Sequence, residues 1–384
     1  MSRISSLFTG TAKTSFLAVA RMMGVTFLDK PQTVDLLRPY QQAFYPATQH
    51  VLPAVADLTA PDRLLFTQTL AESLPAYVWC YERGNQPARQ LRCGNILIDG
   101  RVLCTDYGNQ YLLRDSLRSG KRQLVETDTL IAPFGHYQDG IAFGGYYDFI
   151  YLVAAKLSRM QQALPNGFPA DAIVAYPLFH TQYEREFLMH MGFRPEQIVD
   201  TRQYEVRFKR CLLGNNGHWF YPNAHDVQAI HRQLAPLIQP SPTRNRLYIS
   251  RAGRRRVLNE AKLVQMLGQY DFEYVDDKAR SLSEQLSIYN RASFLIGPHG
   301  ASFSNLLWCQ PGTQLVELFS PNYTPNFFQY LSALAGLRYA ATRQGKPDPA
   351  RPNNLIENMT VDVSALERHL NQLLETEDKG LLLS

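Results

Sequence analysis

Four short groups of residues could together hold an anionic ligand. Ser250-Arg251 follows the apolar run Leu247-Tyr248-Ile249, and Asn259-Glu260 stands near a helix start just beyond. His299-Gly300-Ala301 follows Phe294-Leu295-Ile296-Gly297-Pro298, with Asn305 downstream. Glu317 lies near the end of Gln314-Leu315-Val316-Glu317-Leu318, and Tyr323 and Asn326 lie in the loop after it. A guanidinium forks onto phosphate oxygens. Open N–H groups at a helix start, with the positive dipole end, attract phosphate. A carboxylate accepts from ribose hydroxyls, as acidic residues do in dinucleotide folds. The set therefore suits a nucleoside diphosphate, with Arg251 and the His299-Gly300-Ala301 turn on the phosphates and Glu317 on ribose. Each group also has a plain structural alternative. Arg251, Arg254, Arg255 and Arg256 could form a solvated basic loop, and Glu317 could pair with a nearby base. His299 could be a satisfied structural histidine, Asn259-Glu260 a helix cap, and Asn305 an ordinary polar position.

These groups need strands that end at one edge of one sheet. Leu247–Ser250, Phe272–Val275, Phe294–Ile296 and Thr313–Leu318 have strand patterns, and 337–340 follows them. Between them lie helical patterns over 257–267, from Ser281 to about Arg291, after His299, and over 326–335. Ser281 and Glu284 form a capping-box signature. This alternation predicts a doubly wound parallel sheet. Upstream, 140–213 also alternates: a helix over 150–160, a strand over 172–176, a helix over 184–191 stopped by Gly192, and strands at 197–199 and 204–208. A further helix is expected over 226–238, and Asp99-Gly100 joins two short runs as a hairpin. The proline-bearing stretch 239–245 is the best linker. The expected organisation is an acceptor-side domain over 1–238 that includes an N-terminal β-containing extension, a nucleotide-binding domain over 246–345, and a tail over 346–384. That tail carries a helix near 365–374 and a loose end.

Composition narrows the classes. The 384 residues are 45% hydrophobic and 19% charged, ordinary for a folded protein. The net charge of +5 fits anionic small ligands or an anionic membrane surface without requiring nucleic acid. The short basic run at 254–256 has no interleaved aromatics, so no nucleic-acid partner is expected. Five cysteines without a CxxC read as reduced thiols with no zinc site. Neither GxGxxG nor GxxxxGK[ST] occurs, so nicotinamide and P-loop chemistry have no support. No Asp-x-Asp offers a divalent-metal clamp. No apolar run reaches the roughly 18 residues that span a bilayer. Residues 4–28 read as a helix packed on its own domain, with docking at a membrane surface as the alternative. No signal-peptide cleavage site is apparent, so a cytoplasmic setting is expected.

The order and spacing of several pieces resemble glycosyltransferase family 61. They are Tyr248-Ile249-Ser250-Arg251, Arg256-Val257-Leu258-Asn259-Glu260, Ser283-Glu284-Gln285 before Tyr289-Asn290-Arg291-Ala292, Ile296-Gly297-Pro298-His299-Gly300-Ala301, Asn305, and Pro311-Gly312-Thr313-Gln314-Leu315-Val316-Glu317-Leu318. The resemblance covers 246–340 and, more weakly, 130–213. It implies an α/β protein of the GT-B type, two Rossmann-like domains facing across a cleft. It implies inverting, metal-independent transfer from a nucleotide sugar, uridine-diphosphate-linked, with no other cofactor. The acceptor would be a saccharide or glycolipid in bacterial capsular, exopolysaccharide or lipopolysaccharide synthesis, at or near the inner face of the membrane. Family members commonly carry an Asn-Tyr-x-His-Trp-like motif, for which this chain has Gly145-Tyr146-Tyr147-Asp148-Phe149. Asp148 stands in the histidine's place as the expected base, with a helix N-cap as its alternative. His136 and Asp139 are further candidates. The replaced histidine also motivates a rival, a nucleotide-binding subunit that has lost its chemistry.

Overall fold

A computed structural model describes residues 17–18, 20–22, 24–106, 121–135 and 145–381, with side chains described up to residue 375. Contacts divide the chain into two compact units: 1–48 with 73–233, and 49–72 with 234–384. The sequence expectation divides the chain at 238, 246 and 345. The difference comes from two segments. Residues 49–72 belong to the second unit, where 55–57 and 60–66 extend its sheet while 49–52 and 69–72 pair with each other, and the expected tail belongs to the second unit's core.

In the first unit, β1 (Gln123–Ala132), β2 (Ile173–Tyr176), β3 (Ile198–Asp200) and β4 (Tyr204–Gly214) run parallel in the order β4-β1-β2-β3. Beyond β4 the sheet turns antiparallel, through Ala76–Glu82 and Ala88–Gln90. Asp99 and Gly100 have φ of 44° and 72° and join Ile96–Ile98 to Arg101–Val102 as the expected hairpin. Thr26–Phe27 is a strand on Arg101–Val102, so the helix expected through residue 28 ends earlier. The helical run 146–162 (α1) contains a π segment, Phe149–Ala154, in which all six residues are buried. π segments concentrate at functional sites. Helices α2 (Gln182–His190) and α3 (Ala224–Leu234) complete the frame.

In the second unit, β5 (Asn245–Ile249), β6 (Phe272–Val275), β7 (Ala292–Pro298), β8 (Gln314–Phe319) and β9 (Arg338–Arg343) are all parallel, in the order β6-β5-β7-β8-β9. Val55–Asp57 adds to β9 in parallel and Ala60–Phe66 follows antiparallel. Every residue of β7 and β8 is buried, as expected where both faces are covered. Gly297 lets β7 pack closely on β5, because a Cβ there would lie 2.7 Å from the carbonyl oxygen of Ile249. Three helices follow their strands: α4 (Glu260–Gly268), α5 (Leu282–Asn290) and α6 (Phe327–Leu334).

The segment after His299 is helical as expected, but it is a 3-10 helix over Ala301–Trp308. Ser302, Ser304 and Asn305 are residue types of modest α-helical preference. The C-terminal helix α7 (Val363–Leu381) is longer than expected. Leu366 and Leu370 are fully buried in the second unit's core and Leu374 nearly so. Burying each is worth about 1.5–3 kcal/mol, which holds the helix down.

Candidate functional site

The strand order of the second unit reverses between β5 and β7. In open α/β sheets the crevice at such a switch point, outside the carboxyl ends of the strands, is where ligands bind. Ser250 and Arg251 leave β5 at this point, and His299, Gly300 and Ala301 leave β7. Two of the groups singled out in the sequence therefore meet here. A Cβ on Gly300 would lie 1.5 Å from Nη1 of Arg251, so the guanidinium rests directly on the backbone of that turn. Nε of Arg251 donates to the carbonyl oxygen of Arg254 at 2.5 Å. The loop is tied back by Asp277, which accepts from the N–H of Ala252 at 2.8 Å.

Arg255 is the residue that the sequence reading missed. Inside a run of three arginines it reads as solvated, yet it is only 6% exposed, with φ of 59°. Its Nε donates to the carbonyl oxygen of His299 at 3.1 Å, Nη1 donates to that of Leu355, and its guanidinium lies 5.3 Å from the centre of the Tyr323 ring. Burial, then Arg251 and Arg254, pulls Arg255 down to about 10. Burial and Arg254 also pull Arg251 down. Positive charge is thus crowded around the switch point, and an anion relieves that crowding.

The His299 side chain faces inward and is 3% exposed. Nδ1 lies 2.5 Å from Oε1 of Glu317, and the Tyr339 hydroxyl donates to Oε2 at 2.6 Å. Phe319, Tyr323, Phe327 and Phe328 surround the imidazole at 5.1–5.5 Å. Burial, with Arg255 and Arg251 nearby, holds His299 well below the usual imidazole range, and burial pushes Glu317 up to about 8. The expected ribose role of Glu317 meets a physical obstacle here. Glu317 has no exposed surface and both its oxygens are engaged. It orients His299, which in turn fixes the turn carrying Gly300 and Ala301. Tyr339 gave no signal in the sequence beyond its place on a strand.

The remaining groups of the second unit divide between ligand edge and support. Oε1 of Glu260 accepts from the hydroxyls of Tyr248 at 2.8 Å and Ser250 at 2.7 Å, while Tyr274 donates to Ser250 at 3.1 Å. Asn259 caps no backbone with its side chain. Instead it pairs with both backbone groups of Val361, at 2.8 and 2.9 Å. Asn305 is buried within the 3-10 segment, and Asn326 precedes α6.

This geometry agrees with a match of residues 111–316 to the family model described as Glycosyltransferase 61. The chain belongs to Glycosyltransferase 61. It is also similar to the EGF domain-specific O-linked N-acetylglucosamine transferase of Drosophila melanogaster, 32% identical over 30% of this chain and 23% of that protein. A second relative is the protein O-linked-mannose beta-1,4-N-acetylglucosaminyltransferase 2 of Tetraodon nigroviridis, 35% identical over 23% of this chain and 16% of that protein. The matches thus span less than a quarter of either relative.

In the first unit of this glycosyltransferase-family chain, Asp148 sits in the first turn of α1 and is 7% exposed. Oδ2 accepts from the Gly145 N–H at 3.2 Å and Oδ1 from the Trp219 indole at 2.9 Å. The N-cap of this helix is Gly145, so Asp148 is not the cap itself; it stands at the third helical position and reaches back to the N-cap N–H. Trp219 was legible only as part of the loop after β4. Its carbonyl oxygen also accepts from the Tyr147 hydroxyl at 2.8 Å. His136 and Asp139 lie outside the described residues.

Proposed function

We propose that the second unit holds a nucleotide sugar by its diphosphate and that the chain transfers the sugar to a saccharide or glycolipid acceptor handled by the first unit. That division of labour is the GT-B one. The reaction would invert the anomeric centre and proceed without a metal. The observation that carries this reading is the crowding of Arg251, Arg254 and Arg255 beside the Gly300 turn, with Arg255 pulled down to about 10. As the bond from the sugar's anomeric carbon to phosphate oxygen breaks, the diphosphate takes the electron pair. Cations fixed beforehand at that point stabilise it as it leaves.

The printed names of both relatives specify N-acetylglucosamine transfer. We therefore take uridine diphosphate N-acetylglucosamine as the first donor to test. The setting expected from the sequence, cell-surface polysaccharide synthesis at the inner face of a bacterial membrane, is the acceptor side of the same proposal. A second reading is a binding subunit without turnover. Asp148 favours it, because both its oxygens are already engaged.

Arg251→Ala tests the donor site. A charge-assisted bond is worth roughly 1.5–3 kcal/mol, so affinity for uridine diphosphate should fall about 10- to 150-fold with the fold retained. Unchanged affinity would remove Arg251 from the site. Binding by the wild-type chain without transfer to any acceptor would favour the second reading.

A further inference from the structure

The carboxyl edge of the first unit's parallel strands carries a histidine that the reading above leaves unused. His180 follows β2 and directly precedes Thr181, the N-cap of α2. Its φ is 57°, a conformation uncommon for residues other than glycine and concentrated at functional sites. The surrounding structure holds it there. Glu184 accepts from the His180 N–H at 2.7 Å, the Phe179 N–H at 2.9 Å and the Tyr176 hydroxyl at 2.6 Å. The ring is held as well, with Nε2 2.8 Å from Oδ2 of Asp200 at the end of β3.

The pair is asymmetric in exposure. Asp200 is 5% exposed, whereas the His180 side chain is 56% exposed. Arg202 also bonds Asp200, through Nε at 3.0 and 3.1 Å and Nη2 at 2.8 Å. The arginine balances the carboxylate's charge. The imidazole can then donate its Nε2–H to Asp200 and keep the lone pair on Nδ1. Such an arrangement sets the tautomer of a general base. Aromatic rings lie beside it: Phe179 is 5.7 Å from Phe149, and Tyr183 is 5.0 Å from Tyr146 at the start of α1.

We propose that His180 is the base that accepts the proton of the acceptor hydroxyl, with Asp200 as its positioning residue. This rests on the transferase reading above. The acceptor oxygen forms its bond to the anomeric carbon while the bond from that carbon to phosphate oxygen breaks. The electron pair leaves with the diphosphate, and the hydroxyl proton passes to Nδ1 of His180.

The test is His180→Gly in the full chain, because glycine adopts this backbone conformation without strain. Transfer from uridine diphosphate N-acetylglucosamine is measured on a panel of p-nitrophenyl glycosides, and uridine diphosphate binding is followed by thermal shift. Transfer should fall roughly 10²- to 10⁴-fold with binding unchanged, and added imidazole should restore it at least about tenfold. Should the glycine variant fail to fold, His180→Asn keeps a residue tolerant of this φ and should show the same loss. A folded variant that transfers within about threefold of wild type, or that imidazole does not rescue, overturns the role of His180 alone. A wild-type chain that transfers to no acceptor removes the transferase reading and this proposal together.

Discussion

Nη1 of Arg251 occupies the space that a side chain on residue 300 would need, since a Cβ there would come within 1.5 Å of it. Gly300 has φ of −178°, extended backbone that any residue adopts, so the constraint at this position is room. Gly300→Ala should therefore fold normally and push the guanidinium aside. Affinity for uridine diphosphate should fall by about tenfold or more, near 1.4 kcal/mol. Isothermal titration of the variant checks this, and wild-type affinity would separate the turn from the ligand.

Asn259 gives a contrasting prediction. Its amide pairs with both backbone groups of Val361, the residue that leads into α7. Asn259→Ala leaves a backbone N–H and a carbonyl without those partners, at about 1–3 kcal/mol. Denaturant unfolding should show that loss while nucleotide affinity stays at the wild-type level. Lower affinity at unchanged stability would return Asn259 to the donor site.

Much of the second unit was legible because three of its strands, β5, β7 and β8, are short apolar runs that carry a chemically distinctive residue at or near their ends. Arg251 and Gly300 come together because β5 and β7 are neighbours; alternation predicts a parallel sheet, and the strand order is set by tertiary packing. Arg255 was illegible for a physical reason. Nothing in a run of three arginines says which one turns inward, and its positive φ is a property of the folded loop. Glu317 lies near the strand end as expected, but its partners His299 and Tyr339 sit on the neighbouring strands, so the sequence offered only ribose or an unnamed basic side chain as its partner. The capping signature at Ser281 is half realised. Ser281 accepts from the Glu284 N–H at 3.2 Å, whereas the Glu284 carboxylate pairs with Arg280. The recruitment of 49–72 into the second unit is carried by tertiary contacts such as Thr342 to Asp57 at 2.8 Å, which no local pattern encodes.

The His299–Glu317 pair predicts how stability varies with pH. Burial raises Glu317 from the ordinary 4.5 to about 8. Between those values the folded protein keeps a proton that the unfolded chain has released. This group's contribution to stability therefore declines as pH rises through that window and levels off above it. His299 acts in the opposite sense. Its imidazole is held well below 6.5, so stability falls as the unfolded chain gains that proton on acidification. Glu317→Gln removes only the first effect. It should abolish the decline toward pH 8 and expose, below about 6.5, the fall on acidification that His299 causes and Glu317 offsets in the wild type, each by up to a few kcal/mol. Unfolding free energies measured across pH 5 to 9 on both proteins check this. Parallel curves would show that Glu317 does not titrate in that window.

Chelation supplies the last prediction. A departing diphosphate needs its new charge balanced, and enzymes do this with a divalent ion or with fixed side-chain cations. Here Arg251 rests on the Gly300 turn and Arg255 is buried beside it, so two guanidiniums are already fixed at the carboxyl ends of β5 and β7. Both are partly or fully shielded, and salt screens such charges less than exposed ones. Transfer should accordingly survive treatment with EDTA within about twofold and should not rise on adding manganese. Binding of uridine diphosphate should weaken only modestly between low and physiological ionic strength. Loss of turnover in EDTA that manganese reverses, with Arg251→Ala showing no further defect, would mean that a metal rather than the arginines carries the leaving group.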